Sequence, residues 1–255
     1  MSFEQPPTDP VRPPPVPDGG GESTQASAVP WNGRDVFLAF FCGVLISALL
    51  STPLFIYVLW VDVELSTSAQ LGLFSIVIYG FFALCGWFFA LRRRNASKED
   101  VGLVKVRGWT LLMMFPLTFA VIMINAVIVV TVSAFTSDVP TAREQLLGQE
   151  TSVAIPDLLW LILAGAVIAP VVEEFLFRGL LYRYLRKGRG RGVAIILTAA
   201  LFAIAHLVPT LIPSLFVFGL FLAWVVERYG SLYPAMALHS LNNLTSILVV
   251  YSVTR

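Results

Sequence analysis

Seven long apolar runs constrain this chain more than any other feature. They fall at about 36–61, 71–91, 109–135, 157–182, 192–208, 211–227 and 231–252. A helix needs roughly 20 apolar residues to cross a hydrocarbon core. In lipid every backbone polar group must be satisfied internally, so such runs are read as helices. Composition agrees: 57% of residues are apolar and 13% charged, where a soluble domain carries about half and about a quarter. The predicted fold class is all-α, a polytopic transmembrane helix bundle of about seven to eight membrane helices with kinked segments. Pro53 predicts a kink in the first run, and Pro213 and Pro234 predict local bends. A kink that divides one run would give the eighth helix. The last three runs are short and joined tightly, through Val208-Pro209-Thr210 and Tyr229-Gly230, so they are expected as antiparallel neighbours.

The charges lie between the runs. Arg92, Arg93, Arg94, Lys98, Lys105 and Arg107 follow the second run, and Arg183, Arg186, Lys187, Arg189 and Arg191 follow the fourth. Both linkers read as cytoplasmic. The linker after the first run has Asp62 and Glu64 without a base, and the one after the third has Arg143 alone, so both read as external. The alternation predicts a multi-pass protein of the cell (cytoplasmic) membrane with a cytoplasmic amino terminus. The basic linkers also suit anionic lipid headgroups, so membrane lipids are expected partners. A net charge of +1 gives no bulk electrostatic case for nucleic acid.

Residues 1–30 are rich in Pro, Gly and polar residues, as in Pro13-Pro14-Pro15-Val16-Pro17. They cannot bury enough apolar surface to order, and are expected to form a disordered cytoplasmic tail, with a Pro-rich ligand as the alternative. They lack the pattern of a signal peptide. Residues 31–255 are expected to form the transmembrane helical domain. Cys42 and Cys85 sit in apolar runs, and pack as small hydrophobes rather than as a disulfide.

Inside this apolar background, Glu173 and Glu174 are exceptional. Charges at membrane depth are costly and need a partner or a task. Adjacent helical residues differ by about 100° in direction, so the two carboxylates are not expected to aim at one point. Arg178, four residues after Glu174, shares its face. One division makes Glu174 the partner of Arg178 and turns Glu173 toward a cavity; the opposite assignment stays open. Phe202 and His206 share a face in the fifth run, and His239 and Asn243 share one in the seventh. A structural ion network and helix–helix hydrogen bonds are the plain alternatives. Depth argues for a site. Counted along helices from the basic border, Glu173 lies roughly 15 Å in, His206 roughly 20 Å, Asn243 roughly 18 Å and His239 roughly 12 Å.

Glu173-Glu174-x-x-x-Arg178, then Phe202-x-x-x-His206, then His239-x-x-x-Asn243, in this order on successive membrane helices, resembles the CPBP family. These are the CAAX proteases and bacteriocin-processing enzymes, or Abi intramembrane endopeptidases. The resemblance spans about 157–250, with 157–252 as the expected catalytic core, and residues 1–156 carry no motif of the family. It implies Glu173 as general base on water, assisted by His206, with His239 and Asn243 stabilising the oxyanion and Glu174, Arg178 and Phe202 in support. It implies a protein or peptide substrate, which in the best-known relatives is a prenylated CAAX protein, so the partner is protein or peptide, lipidated or not. Peptide hydrolysis needs these parts: a proton acceptor for water, and donors aimed at the developing oxyanion.

The family has also been described as metalloproteases. Zinc held by Glu173, His206 and His239, with a fourth position for water, is the alternative to a site without a cofactor. The His-Glu-x-x-His pattern of zincins is absent, as are a mid-helix aspartyl pair and a Gly-x-Ser-x-Gly elbow. Two readings of other classes remain. A transporter or channel would use the cluster as an ion site and show a through-path. A non-catalytic scaffold or immunity protein would pack it dry.

Overall fold

The computed structural model describes residues 29–60, 66–136 and 153–253. Residues 1–28 of the expected tail, the linker with Asp62 and Glu64, and Arg143 lie outside the described residues. Val29 is already buried.

Among the described residues the fold is all-helical, with one helix for each apolar run. α1 is Gly33–Trp60, and runs through Pro53 without dividing. α2 is Thr67–Gly86, extended to Arg92 by wider π-type turns. α3 is Gly108–Ser133, interrupted at Met113. Pro116 stands in the first turn after that break, where its missing N–H costs least. α4 is Ile155–Arg189, α5 is Arg191–Ala205, α6 is Ile212–Tyr229 and α7 is Leu232–Val253.

Five of these, α1 to α4 and α6, are long and apolar enough to cross a membrane. That corrects the expected seven to eight membrane helices. The 15 residues of α5 reach only about 22 Å. α7 spends part of its hydropathy on His239, Asn242 and Asn243. The pattern is that of a multi-pass membrane protein. The outward faces of α1 and α3 are apolar and exposed, as at Phe37, Leu49, Phe119 and Val130, which suits lipid rather than water as their solvent.

The helices alternate in direction, and one end of the bundle collects the basic residues. Asp35, at the start of α1, is buried and receives Arg94 Nε at 2.7 Å from the end of α2. Glu227, near the end of α6, pairs with Arg186 of α4 at 3.1 Å and Arg191 of α5 at 3.7 Å. At the start of α7, the Leu232 N–H donates to Gly102 O (2.8 Å) and Ser231 Oγ to Val104 O (2.6 Å). Gly102 takes φ +91°, and a Cβ there would lie 2.2 Å from the Arg183 guanidinium. The core is continuous through α4 to α7, where Leu180, Phe202, Leu222, Val225, Ala235 and Leu238 are sealed from solvent. α5 and α6 approach closely because Gly219 sits against Ala199, its virtual Cβ 3.0 Å from the Ala199 Cα. α2 packs along α4. That contact brings the first half of the chain to the polar cluster.

Candidate active site

α4 is not a uniform helix. Ile162–Ile168 and Phe175–Tyr182 wind as π-type turns, and the α-helical Ala169–Glu174 lies between them. π-type turns recur at functional sites, because each shifts the direction of the side chains that follow. Here Pro170 supplies a cause. The Ala169 N–H reaches back five residues to Ala164 O. The next rung would run from residue 170 to Gly165 O, but proline has no N–H to give. Asn243 Nδ2, from α7, donates to Gly165 O at 2.9 Å, so the stranded carbonyl is satisfied from another helix.

The two glutamates of that short segment diverge. Glu174 is fully buried, and its Oε1 accepts from Arg178 Nη1 at 2.9 Å. Arg178, also fully buried, donates through Nη2 to Gly219 O at 3.2 Å and places its Cζ 4.4 Å from the centre of the Phe202 ring. A buried charge without such partners would be strongly unfavourable. The ring face adds a cation–π contact. The division that gives Arg178 to Glu174 is the one the structure adopts.

Glu173 points elsewhere. Its side chain is 13% exposed. Oε1 accepts the Tyr79 hydroxyl of α2 at 2.5 Å. Oε2 is buried without a hydrogen-bond partner and lies 3.8 Å from His239 Nε2. His239, 3% exposed, presents its other nitrogen, Nδ1, to Glu174 Oε1 at 2.9 Å. The two carboxylates take different hydrogen-bond partners, as expected of neighbours on a helix. They diverge by the helical angle, yet one imidazole between them faces each through a different nitrogen. A carboxylate only accepts, so the proton of the short contact is on Nδ1.

His206 lies at the carboxyl end of α5, exposed, with Nδ1 2.8 Å from Phe202 O. The carbonyl fixes that proton on Nδ1 and leaves Nε2 as the free nitrogen. Leu207 then turns the chain at φ +57°, a conformation rare for a branched side chain. The Phe202 ring stands between the imidazoles, 4.7 Å from His206 and 5.8 Å from His239 by ring centres. Phe218 closes on His239 at 5.2 Å.

Of the residues singled out from sequence, Glu173, Glu174, Arg178, Phe202 and His239 form one contiguous cluster. His206 touches it through Phe202. Asn243 shares the α7 face with His239, but its hydrogen bonds go to Gly165 and to Asn242. Tyr79, Phe218 and the Gly219 carbonyl were missed. A signal for Tyr79 existed: Gly72, Tyr79 and Gly86 are spaced seven apart and so share one face of α2.

Of the three residues expected to hold zinc in the alternative reading, Glu173 and His239 stand together and His206 lies across the Phe202 ring. Among the described residues no group of three or more His, Cys, Asp or Glu side chains is arranged to hold a metal ion. His206 is the donor left outside. No step below runs through a metal.

The motif-bearing helices, in order and gathered around one cluster, can now be set beside known proteins. Residues 155–245 match the type II CAAX prenyl endopeptidase Rce1-like family. No match was found among curated proteins or among solved structures. The Rce1-like segment opens with α4 and closes within α7. It carries every motif behind the resemblance to the CPBP family and bears that resemblance out. The match supports intramembrane peptidase activity in general, with protein or peptide as the substrate class. Tyr79 lies outside the Rce1-like segment and reaches Glu173 from α2.

Proposed function

We propose that the chain is an intramembrane endopeptidase in which Glu173 activates water. The observation that carries this reading is Glu173 Oε2: a shielded carboxylate oxygen without a hydrogen-bond partner, 3.8 Å from His239 Nε2. In the reaction, water attacks the carbonyl carbon of the scissile bond and gives its proton to Glu173. The C–N bond then breaks, and the proton passes to the leaving amine. His206 assists from the mouth of the site, its Nε2 available to accept from the same water. His239, when Nε2 carries a proton, donates to the oxyanion. Asn243 has a second amide hydrogen beyond the one given to Gly165, and that hydrogen is assigned the same task. Glu174 and Arg178 hold His239 in register.

The substrate is a protein or peptide, and the Rce1-like match favours one that is lipidated near its carboxyl terminus. The basic end of the bundle is read as cytoplasmic. On that reading the start of α1 is inside and the site lies below the inner leaflet of the cell membrane. The test is cleavage by the full chain in proteoliposomes. Glu173→Ala is expected to abolish new termini on a farnesylated CAAX peptide and to lower the unfolding temperature by no more than about 2–4 °C. Undiminished cleavage by that variant would refute Glu173 as the base. Ion flux that depends on Glu173 without cleavage would favour a transporter.

A further inference from the structure

Tyr79 does something that packing does not require. It occupies the middle of α2 among Ile76, Val77, Ile78, Phe81 and Phe82, where phenylalanine would fill nearly the same volume. Several hydroxyls in apolar helices turn back on their own backbone, although Ser47 crosses from α1 to Ile78 O at 3.2 Å. Thr118 bonds Met114 O at 2.7 Å, and Thr131 and Ser133 bond Val127 O and Val129 O at 2.8 Å. The Tyr79 hydroxyl instead crosses to α4 and donates to Glu173 Oε1 at 2.5 Å, a distance typical of the strong bonds made to ionised oxygens.

The approach of α2 to α4 fixes where that hydroxyl arrives. On the face of α2 that carries Tyr79, a Cβ on Gly72 would lie 3.0 Å from Trp160, and one on Gly86 would lie 2.7 Å from Phe175. The two glycines let the helices close on either side of Tyr79. The two oxygens of Glu173 are thereby made unequal: Oε1 is occupied, and Oε2 alone faces His239.

We infer that Tyr79 is a positioning residue for the general base, holding the Glu173 side chain so that Oε2 takes the proton from water. This rests on the reading of Glu173 as that base. It also makes α2, outside the Rce1-like segment, part of the working site.

The test compares Tyr79→Phe with the native full chain in proteoliposomes. On a farnesylated CAAX peptide, kcat is expected to fall about tenfold to a hundredfold through loss of orientation, with KM unchanged and the unfolding temperature lowered by no more than about 2–4 °C. In a Glu173→Ala background the same change is expected to remove nothing further. A second readout needs no substrate. Dicyclohexylcarbodiimide, an apolar reagent for carboxyl groups, is expected to label Glu173 severalfold faster in Tyr79→Phe, because Oε1 is released. Labelling of exposed Glu99 serves as the internal standard. Native kcat together with native labelling in Tyr79→Phe would overturn the inference while leaving Glu173 as the base. An active Glu173→Ala chain would sink the base itself. If native protein leaves the peptide intact, labelling alone decides: a faster rate supports the contact and an unchanged rate ends it.

Discussion

His239 donates through Nδ1 to Glu174 Oε1, 2.9 Å away and 65 residues earlier in the chain. With Arg178 on the same oxygen at 2.9 Å, Glu174 is the node that joins α4 to α7. Its neighbour Glu173 instead accepts the Tyr79 hydroxyl of α2. Two adjacent glutamates should therefore fail in different ways.

Removing Glu174 leaves Arg178 charged, buried and without its carboxylate. Loss of one partner of a buried pair costs about 3–5 kcal/mol, so Glu174→Ala is expected to lower stability by that amount in detergent. Glu173→Ala loses one hydrogen bond at a partly exposed side chain and is expected to cost about 1 kcal/mol. Unfolding of both variants followed by circular dichroism checks the contrast. Equal losses would show that the division between structural and reactive carboxylate is wrong.

This division was legible in the sequence as one of two options, because the four-residue spacing of Glu174 and Arg178 is a local property of a helix. What escaped was whatever depended on distant chain or on irregular winding. The partner of Tyr79 lies 94 residues away, and no periodicity within α2 names it. The bond from Asn243 to Gly165 follows from the π-type turn at Ile162–Ile168, which hydropathy does not reveal. The count of long apolar spans fell somewhat below the expected seven to eight for a related reason. The residues that make α7 part of the site are the ones that depress its hydropathy, and α5 is cut short at His206, where the site opens.

That position gives His206 a separate signature. It is exposed at a helix end, and its Nδ1 bond is to the carbonyl of its own helix, four residues back. Surface substitutions away from special features usually change stability by less than about 0.5 kcal/mol. His206→Ala is therefore expected to leave unfolding unchanged. Loss of an assisting acid–base group lowers turnover by about a hundredfold to ten-thousandfold, which a cleavage time course on the farnesylated peptide would read. Full turnover in this variant would remove His206 from the mechanism.

Gly219 serves two contacts at once. Its carbonyl accepts Arg178 Nη2 at 3.2 Å, and its missing side chain admits the Ala199 backbone of α5. A methyl at 219 would lie 3.0 Å from the Ala199 Cα, backbone that cannot swing aside. Gly219→Ala is expected to cost about 1–3 kcal/mol through overpacking, and to reduce cleavage as the carbonyl leaves Arg178. Exposed Gly188, whose virtual Cβ meets nothing within 4 Å, is the control: Gly188→Ala should preserve both stability and activity.

The bond between Asn243 and Gly165 yields the most specific expectation, because its cause is a third residue. Pro170 deprives Gly165 O of a backbone donor, and Asn243 supplies one from α7 at 2.9 Å. Asn243→Ala should then strand a partly buried carbonyl, at about 1–3 kcal/mol. Pro170→Ala restores an N–H at the position from which that carbonyl can be reached along α4 itself. In the double variant the carbonyl no longer depends on Asn243, so the two changes should cost less together than the sum of each alone. A double-mutant cycle of unfolding free energies measures that difference, expected at about 1 kcal/mol or more. Strict additivity would mean that proline and asparagine act independently, and that the π-type turn before Glu173 is held by something else. Activity adds a second axis. Asn243 also has an amide hydrogen to offer the oxyanion, so Pro170→Ala should rescue the stability of Asn243→Ala without rescuing its turnover.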